Sequence, residues 1–346
     1  AMTLREDVEQ ALEIIAEMVS QPALDGADLE MERQIIEQEN CRGCQNCSMR
    51  DAFFDQAYPE QSIRNPIIGY EDTLAAITPE DLRAWHRTAY CGANLTVAIC
   101  GNVDHEAAEE MVGRIFSVLP EGKPADFPEF SWASNELHLA AGTDRSTIRL
   151  GFPITNLEGR AGRAAVFYHD ILGGHGQSLL MRELREKRGL VYSTWAEEYE
   201  FARETVLWVE ASGEAMKTNE IAGVLADTMY QAAQQIDAEE LAMAKRRAHV
   251  GLHMSLDDQM GRNAGMLRNI ARKSRLTDWN ESYQDYMSLT REEVAEAGRN
   301  ILATGPTIIS AGPVRNKPRF EDIRARLRGE RAEQSGRKKS LFRLVS

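Results

Sequence analysis

Four groups of residues in this chain have types and spacings that chemistry uses. Glu32 and Glu39 lie seven residues apart in the stretch LEMERQIIEQEN, Leu29–Asn40. On a helix, at about 100° per residue, both carboxylates return to nearly one face, roughly 10 Å apart along the axis. One carboxylate can then face a site while the other supports it, although the same composition also describes a solvated acidic helix. Cys41, Cys44 and Cys47 follow in CRGCQNC, the spacing of thiolate metal sites and iron–sulfur motifs. A fourth thiol would have to be Cys91 or Cys100, and three thiols on one stripe of a helix serve equally well as packing groups. Arg185 and Tyr192 stand seven apart in LREKRGLVY. A phenol can donate to the oxyanion formed when water adds to a peptide carbonyl, and a guanidinium fork can hold a carbonyl or carboxylate. By residue type alone they are a surface arginine and an interface tyrosine. His249 and His253 are four apart, a spacing that can chelate a metal, but no acidic partner lies between them and they read as ordinary helix residues. Gly173-Gly174-His175-Gly176 lacks the Lys-Ser or Lys-Thr ending of a phosphate loop and reads as a packing turn.

The elements that must position these groups follow from pattern. LREDVEQALEIIAEMV is an amphipathic helix with Val8, Leu12, Ile15 and Val19 on one side. Asp25, with Asp28 three residues on, starts the helix that carries Glu32 and Glu39. Thr78-Pro79-Glu80-Asp81 opens another with a cap, a proline at the first position and an acidic third residue. NLTVAICGNV, residues 94–103, reads as a buried strand ending in a glycine turn, and HEAAEEMVGRIFSVL as a helix. The proline-rich PEGKPADFPEFSWASNE reads as a linker. ELHLAAG and STIRLGFPI, then VYSTWAEEY and TVLWVEASG, read as strands, with a helical stretch from Gly162 to about Arg185 broken at Gly173-Gly174. A long helix starts near Thr218, and Asp237 with Glu240 caps the next. One repeat is visible: TPEDLRAWHRTAYCGANLTVAICGNV from Thr78 parallels TREEVAEAGRNILATGPTIISAGPV from Thr290, so two similar α/β units lie in tandem.

Composition bounds the rest. A chain of 346 residues suggests two domains, here 1–119, a linker 120–136, a second unit 137–315 and a basic tail 316–346. With 43% hydrophobic and 27% charged residues it is an ordinary globular composition, and no apolar run approaches a membrane span. The net charge of −14 argues against nucleic acid as partner and allows steering of basic peptides. The tail opposes that charge, with ten Lys or Arg against four Asp or Glu. It reads as a solvated terminal helix with a frayed end, or as an anchor for an anionic surface. Free thiols at close spacing suggest a reducing compartment, hence a cytoplasmic location.

Several collinear stretches carry a resemblance: ERQIIEQE, NPIIGYEDTLAAITPEDLRAWHRTAY, AICGNVDHE and LGGHGQSLLMRELREKRGLVYS. Together they resemble the insulinase and pitrilysin family of zinc metallopeptidases, which includes mitochondrial processing peptidase, from Leu4 to about Val314. The resemblance implies an α+β fold of two tandem related domains. Each would be a mostly antiparallel sheet covered by helices, the first incomplete, facing the other across a chamber for unfolded peptides. It also implies that Glu39 is a zinc ligand, that Glu32 supports it, and that Arg185 and Tyr192 face the zinc from the substrate side. The family's other two ligands and its general base come from His-x-x-Glu-His. None of His86, His105, His138, His169, His175, His249 and His253 belongs to such a motif. The resemblance therefore places the start of this chain inside the first domain. A catalytic zinc needs about three protein ligands, so Zn2+ is expected in the complete parent enzyme, with none bound here and no activity from this chain alone. Expected partners are a peptide and a second subunit, as a homodimer or with a related zinc-bearing chain to which this one lends its Arg-Tyr unit. The other alternative is a metal or redox protein built on Cys41, Cys44 and Cys47.

Overall fold

The computed structural model describes residues 1–39, 45–154, 159–201, 204–273, 276 and 278–330, with the backbone only for 45–48 and 272–273. The CRGCQNC expectation thus lies outside what is described: Cys41 and Cys44 entirely, Cys47 for its side chain.

The first unit is helical: α1 (Val8–Ser20), α2 (Gly26–Glu39), α3 (Gln45–Ala57), α4 (Glu71–Ala76), α5 (Pro79–Ala89) and α6 (His105–Phe116). Leu12 and Ala16 of α1 bury against Phe116 of α6, joined by Val8, Ile15 and Val19, the apolar stripe legible in the sequence. Asp25 caps α2 as expected, its Oδ1 accepting from the Ala27 and Asp28 amides at 2.9 Å each. Thr78 caps α5 through a reciprocal box with Asp81. The strand expected over residues 94–103 does not form. Val97 and Ile99 do pack against α1 and α6, but a strand exists only beside another, and the first unit contains none among the described residues.

The sheet is built from residues 136–312. Its strands are β1 (Glu136–Ala140), β2 (Arg145–Pro153), β3 (Val191–Glu200), β4 (Thr205–Glu214) and β5 (Thr307–Gly312), ordered β1-β5-β2-β4-β3. Only β1 and β5 pair in parallel. The helices are α7 (Gly159–Gly173), α8 (Thr218–Gln234), α9 (Ala238–Asp257), α10 (Gln259–Lys273), α11 (Trp279–Ser288), α12 (Arg291–Ala303) and α13 (Phe320–Leu327). Alternation along β2 divides the two faces. Ile148, Leu150 and Phe152 join the large core beneath α7, α8, α12 and α13, while Arg145, Thr147, Arg149 and Gly151 face the other way. α12 starts with the same box as α5, Thr290 with Glu293. Here the repeat does end in a strand, β5, because β1 and β2 flank it.

Two expectations are corrected. Asp237 occupies the N-cap of α9 but its side chain makes no capping bond. Glu240 is buried and pairs instead with Arg182, so its carboxylate is turned away from the helix start. The helix of the basic tail is not solvated: α13 buries Phe320, Ile323 and Leu327 in the core.

The face opposite the helical layer is covered in part by α3 and the residue after it, whose Phe53, Phe54 and Tyr58 pack on Val206, Trp208 and Ile309. Phe53 meets Trp208 edge to face at 5.0 Å. Gly151 permits this approach, since a Cβ there would collide with the Phe53 ring. Polar bonds pin the same junction: the Tyr58 hydroxyl donates to Glu204 Oε1 at 2.9 Å, and the Ala133 amide donates to the Ala57 carbonyl at 2.8 Å.

Candidate functional site

The segment from Arg185 to Tyr192 is built by three devices. A π-helical turn over Met181–Glu186 follows α7, and such turns recur at functional sites. Gly189, at φ 58°, then reverses the chain, a conformation only glycine adopts freely. Its amide donates to the Arg185 carbonyl at 3.0 Å and the Leu190 amide to the Leu184 carbonyl at 2.8 Å, while the Leu184 and Leu190 side chains bury beneath. Finally β3 opens on a bulge. Val191 pairs with Gly213 but Ser193 with Ser212, so Tyr192 is the extra residue. A bulge re-aims a side chain. Val191 stays in the core at 7% exposure and Tyr192 swings out at 52%.

The guanidinium of Arg145 lies over the Tyr192 ring, 4.6 Å from its centroid, a cation–π contact that orients the phenol. Beyond this pair, Thr147 donates to the Ser212 hydroxyl at 3.2 Å, and Ser193 stands next to Ser212 in register. Ser193 is exposed, Thr147 and Ser212 half-buried. The next row holds Arg149, at 1% exposure among the most buried large side chains. Its Nε and Nη2 donate to Glu210 Oε2 at 2.9 and 2.5 Å, and its guanidinium stacks on Trp208 at 4.2 Å. Burial pushes the Glu197 carboxyl up, Arg149 pulls it down and Glu210 raises it again. The site face thus runs from an exposed phenol and guanidinium, through a floor of hydroxyls, to a buried ion pair and then to the aromatic cover of α3.

Glu32 and Glu39 are both on α2 and both exposed; α2 buries no residue. What fixes this helix is Arg33, which donates to the Leu74 and Ile77 carbonyls at the end of α4, the latter at 3.0 Å. Arg185 is exposed near the end of the π turn, and the ring partner of Tyr192 is Arg145 rather than Arg185. Sequence reasoning missed Arg145, Arg149 and Arg33. No local signal pairs residues 47 positions apart; the clue, a guanidinium inside the apolar alternation of STIRLGFP, marks Arg149 only. Among the described residues no group of three His, Cys, Asp or Glu side chains is placed to hold a metal ion. Glu39 alone is not a zinc site, so the residues described do not fit a catalytic zinc.

This α+β architecture is shared with a peptidase M16 inactive domain from Pseudomonas fluorescens. The two superpose with a TM-score of 0.81 at 20% identity, over 91% of this chain and 77% of that one. A chain of Complex III2 from Candida albicans matches with a TM-score of 0.83 at 14% identity, over 94% of this chain and 81% of that one. In sequence, an uncharacterized zinc protease of Rickettsia felis is 24% identical over 318 residues, covering 90% of this chain and 77% of that protein. Residues 76–248, half of the chain, match the family described as Peptidase M16 inactive domain. The chain belongs to the peptidase M16 family. No helix among the described residues is long and apolar enough to cross a membrane.

Proposed function

We propose that this chain is a peptide-holding member of a zinc peptidase system: it binds unfolded peptides on the face around Tyr192, and cleavage there needs zinc ligands that this chain does not itself provide. The observation that carries the reading is the bulge that turns Tyr192 out beside the hydroxyls of Ser193, Ser212 and Thr147. An extended peptide presents a carbonyl or amide every 3.3 Å or so, and hydroxyls both donate and accept. Tyr192 donates to a substrate carbonyl, and Arg185 holds a second carbonyl or a carboxylate. The acidic body draws basic peptides toward the site. Glu39, Glu32, Arg185 and Tyr192 then belong to one chamber, which closes when a related zinc-bearing subunit or a second copy docks.

The test uses fluorescently labelled unfolded peptides and the whole chain. Anisotropy is expected to show saturable binding, weakened several-fold by Tyr192→Phe, the loss of one hydrogen bond worth about 0.5–1.5 kcal/mol. No product is expected with added Zn2+, and product is expected once a zinc-bearing subunit is supplied. Chelator-sensitive cleavage by the chain alone, or binding identical in Tyr192→Phe and Arg185→Ala, overturns the proposal.

A further inference from the structure

Two exposed imidazoles of α9 and two half-buried aromatic rings of α11 form one cluster. His249 and His253 sit a single turn apart with ring centroids 4.3 Å from each other and planes at 45°. His253 Nδ1 lies 2.7 Å from the His249 carbonyl. A carbonyl can only accept, so this nitrogen carries the proton and the Nε2 of the neutral ring keeps its lone pair. His249 Nδ1 lies 2.9 Å from the Tyr283 hydroxyl, which accepts from Nδ1–H in the tautomer that leaves the second Nε2 open as well. Tyr283 is itself stacked on Trp279, centroids 5.1 Å apart and planes at 12°. Trp279 in turn stands edge-on to His253 at 5.1 Å, anchored by its indole N–H to the Leu252 carbonyl at 3.2 Å. Both imidazoles therefore have their inner nitrogen tied to a polar partner, the arrangement that orients metal-ligating histidines, and one face walled by aromatic rings.

We infer that His249 and His253 form a two-imidazole chelate for a divalent transition-metal ion, with water completing its coordination. Two imidazoles bound at about 2.0 Å have centroids roughly 4.5 Å apart when they meet the ion at a right angle, and roughly 5 Å apart at the tetrahedral angle. The observed 4.3 Å is short enough for both rings to reach one ion, and nitrogen ligands of this kind hold Cu2+ more tightly than Ni2+ or Zn2+. The site is separate in residues and in metal preference from the zinc chemistry of the family. A bound ion staples one turn of α9 and, through Tyr283, ties it to α11.

The experiment titrates the whole chain with Cu2+ and Ni2+ after its thiols are blocked with N-ethylmaleimide, so that CRGCQNC cannot compete. Binding is read by calorimetry and by quenching of Trp279. One saturable ion is expected, in the affinity order Cu2+, Ni2+, Zn2+. His253→Ala should weaken it at least tenfold, and Tyr283→Phe should weaken it about tenfold by freeing the His249 ring. Trp279→Phe should remove most of the quenching and leave the calorimetric affinity intact. Both histidines are exposed, and an unchanged circular dichroism spectrum verifies that each variant folds. An affinity that neither His249→Ala nor His253→Ala changes would refute the chelate, and Zn2+ binding more tightly than Cu2+ would refute its all-imidazole protein ligands.

Discussion

Replacing Glu210 by alanine would remove the carboxylate that takes two donors of the Arg149 guanidinium inside the sheet. Arg149 is 1% exposed and Glu210 8%, and one carboxylate oxygen takes two of the arginine's donors at 2.9 and 2.5 Å. Removing one partner of a buried pair costs about 3–5 kcal/mol, because the remaining charge keeps its loss of water and loses its main counter-charge. The Trp208 face, 4.2 Å away, remains after the substitution and retains up to about 2 kcal/mol of attraction. The cost therefore falls at the lower end, about 3 kcal/mol, or about 6–12 °C in midpoint for a unit of this size. Removing both charges is a different perturbation: Arg149→Met with Glu210→Leu removes the whole ion pair, takes from Glu197 both its cation and its like-charged neighbour, and such swaps are often neutral or stabilising. The double variant should therefore be more stable than Glu210→Ala alone. Thermal and urea unfolding, followed by circular dichroism and by fluorescence, measures both. The reasoning fails if Glu210→Ala lies within about 1 kcal/mol of the parent, or if the double variant is the least stable of the set.

Gly151→Ala should lever α3 off the sheet, because its Cβ would collide with the Phe53 ring; overpacking of this kind costs about 1–3 kcal/mol, and faster proteolysis around residue 57 would report it. Thr290→Ala removes the α12 cap and should cost about 1 kcal/mol, read as a lower urea midpoint with an unchanged slope. Arg160, followed by Thr290, holds the Glu293 carboxyl down at about 2 against an ordinary 4.5. Its folded value is depressed, so its stabilising contribution is present above pH 4.5 and is lost as pH falls through 2; a carboxyl NMR titration should place the midpoint there and Arg160→Gln should raise it. Burial pushes Glu204 up, with the Tyr58 hydrogen bond opposing. That contribution is complete below the ordinary value of 4.5 and is lost as pH rises through the raised one, so Glu204→Gln should flatten the stability profile on the alkaline side of 4.5, and an unchanged slope would contradict it.

Much of the frame was legible in the chain itself. Threonine caps, the stripe of α1, the alternation of β2 and the repeat from Thr78 and Thr290 are local patterns, and local hydrogen bonding and periodicity determine them. The family likewise follows from collinear motifs. What local pattern cannot carry is partnership. The run NLTVAIC has strand composition and forms none, whereas the equivalent TIISAG becomes β5, because only the latter has neighbours to accept its backbone bonds. Glu240 suits a cap in sequence and serves Arg182 in space. Tyr192 is turned outward by one extra residue in β3, a register event set by how β3 meets β4, and it rests under an arginine from a different strand. By itself the sequence determined which helices form, where most of them start and which family the elements compose. The tertiary structure alone decided which side chains meet, since contacts between distant residues depend on register and packing, and those are properties of the assembled sheet and helices rather than of any one segment.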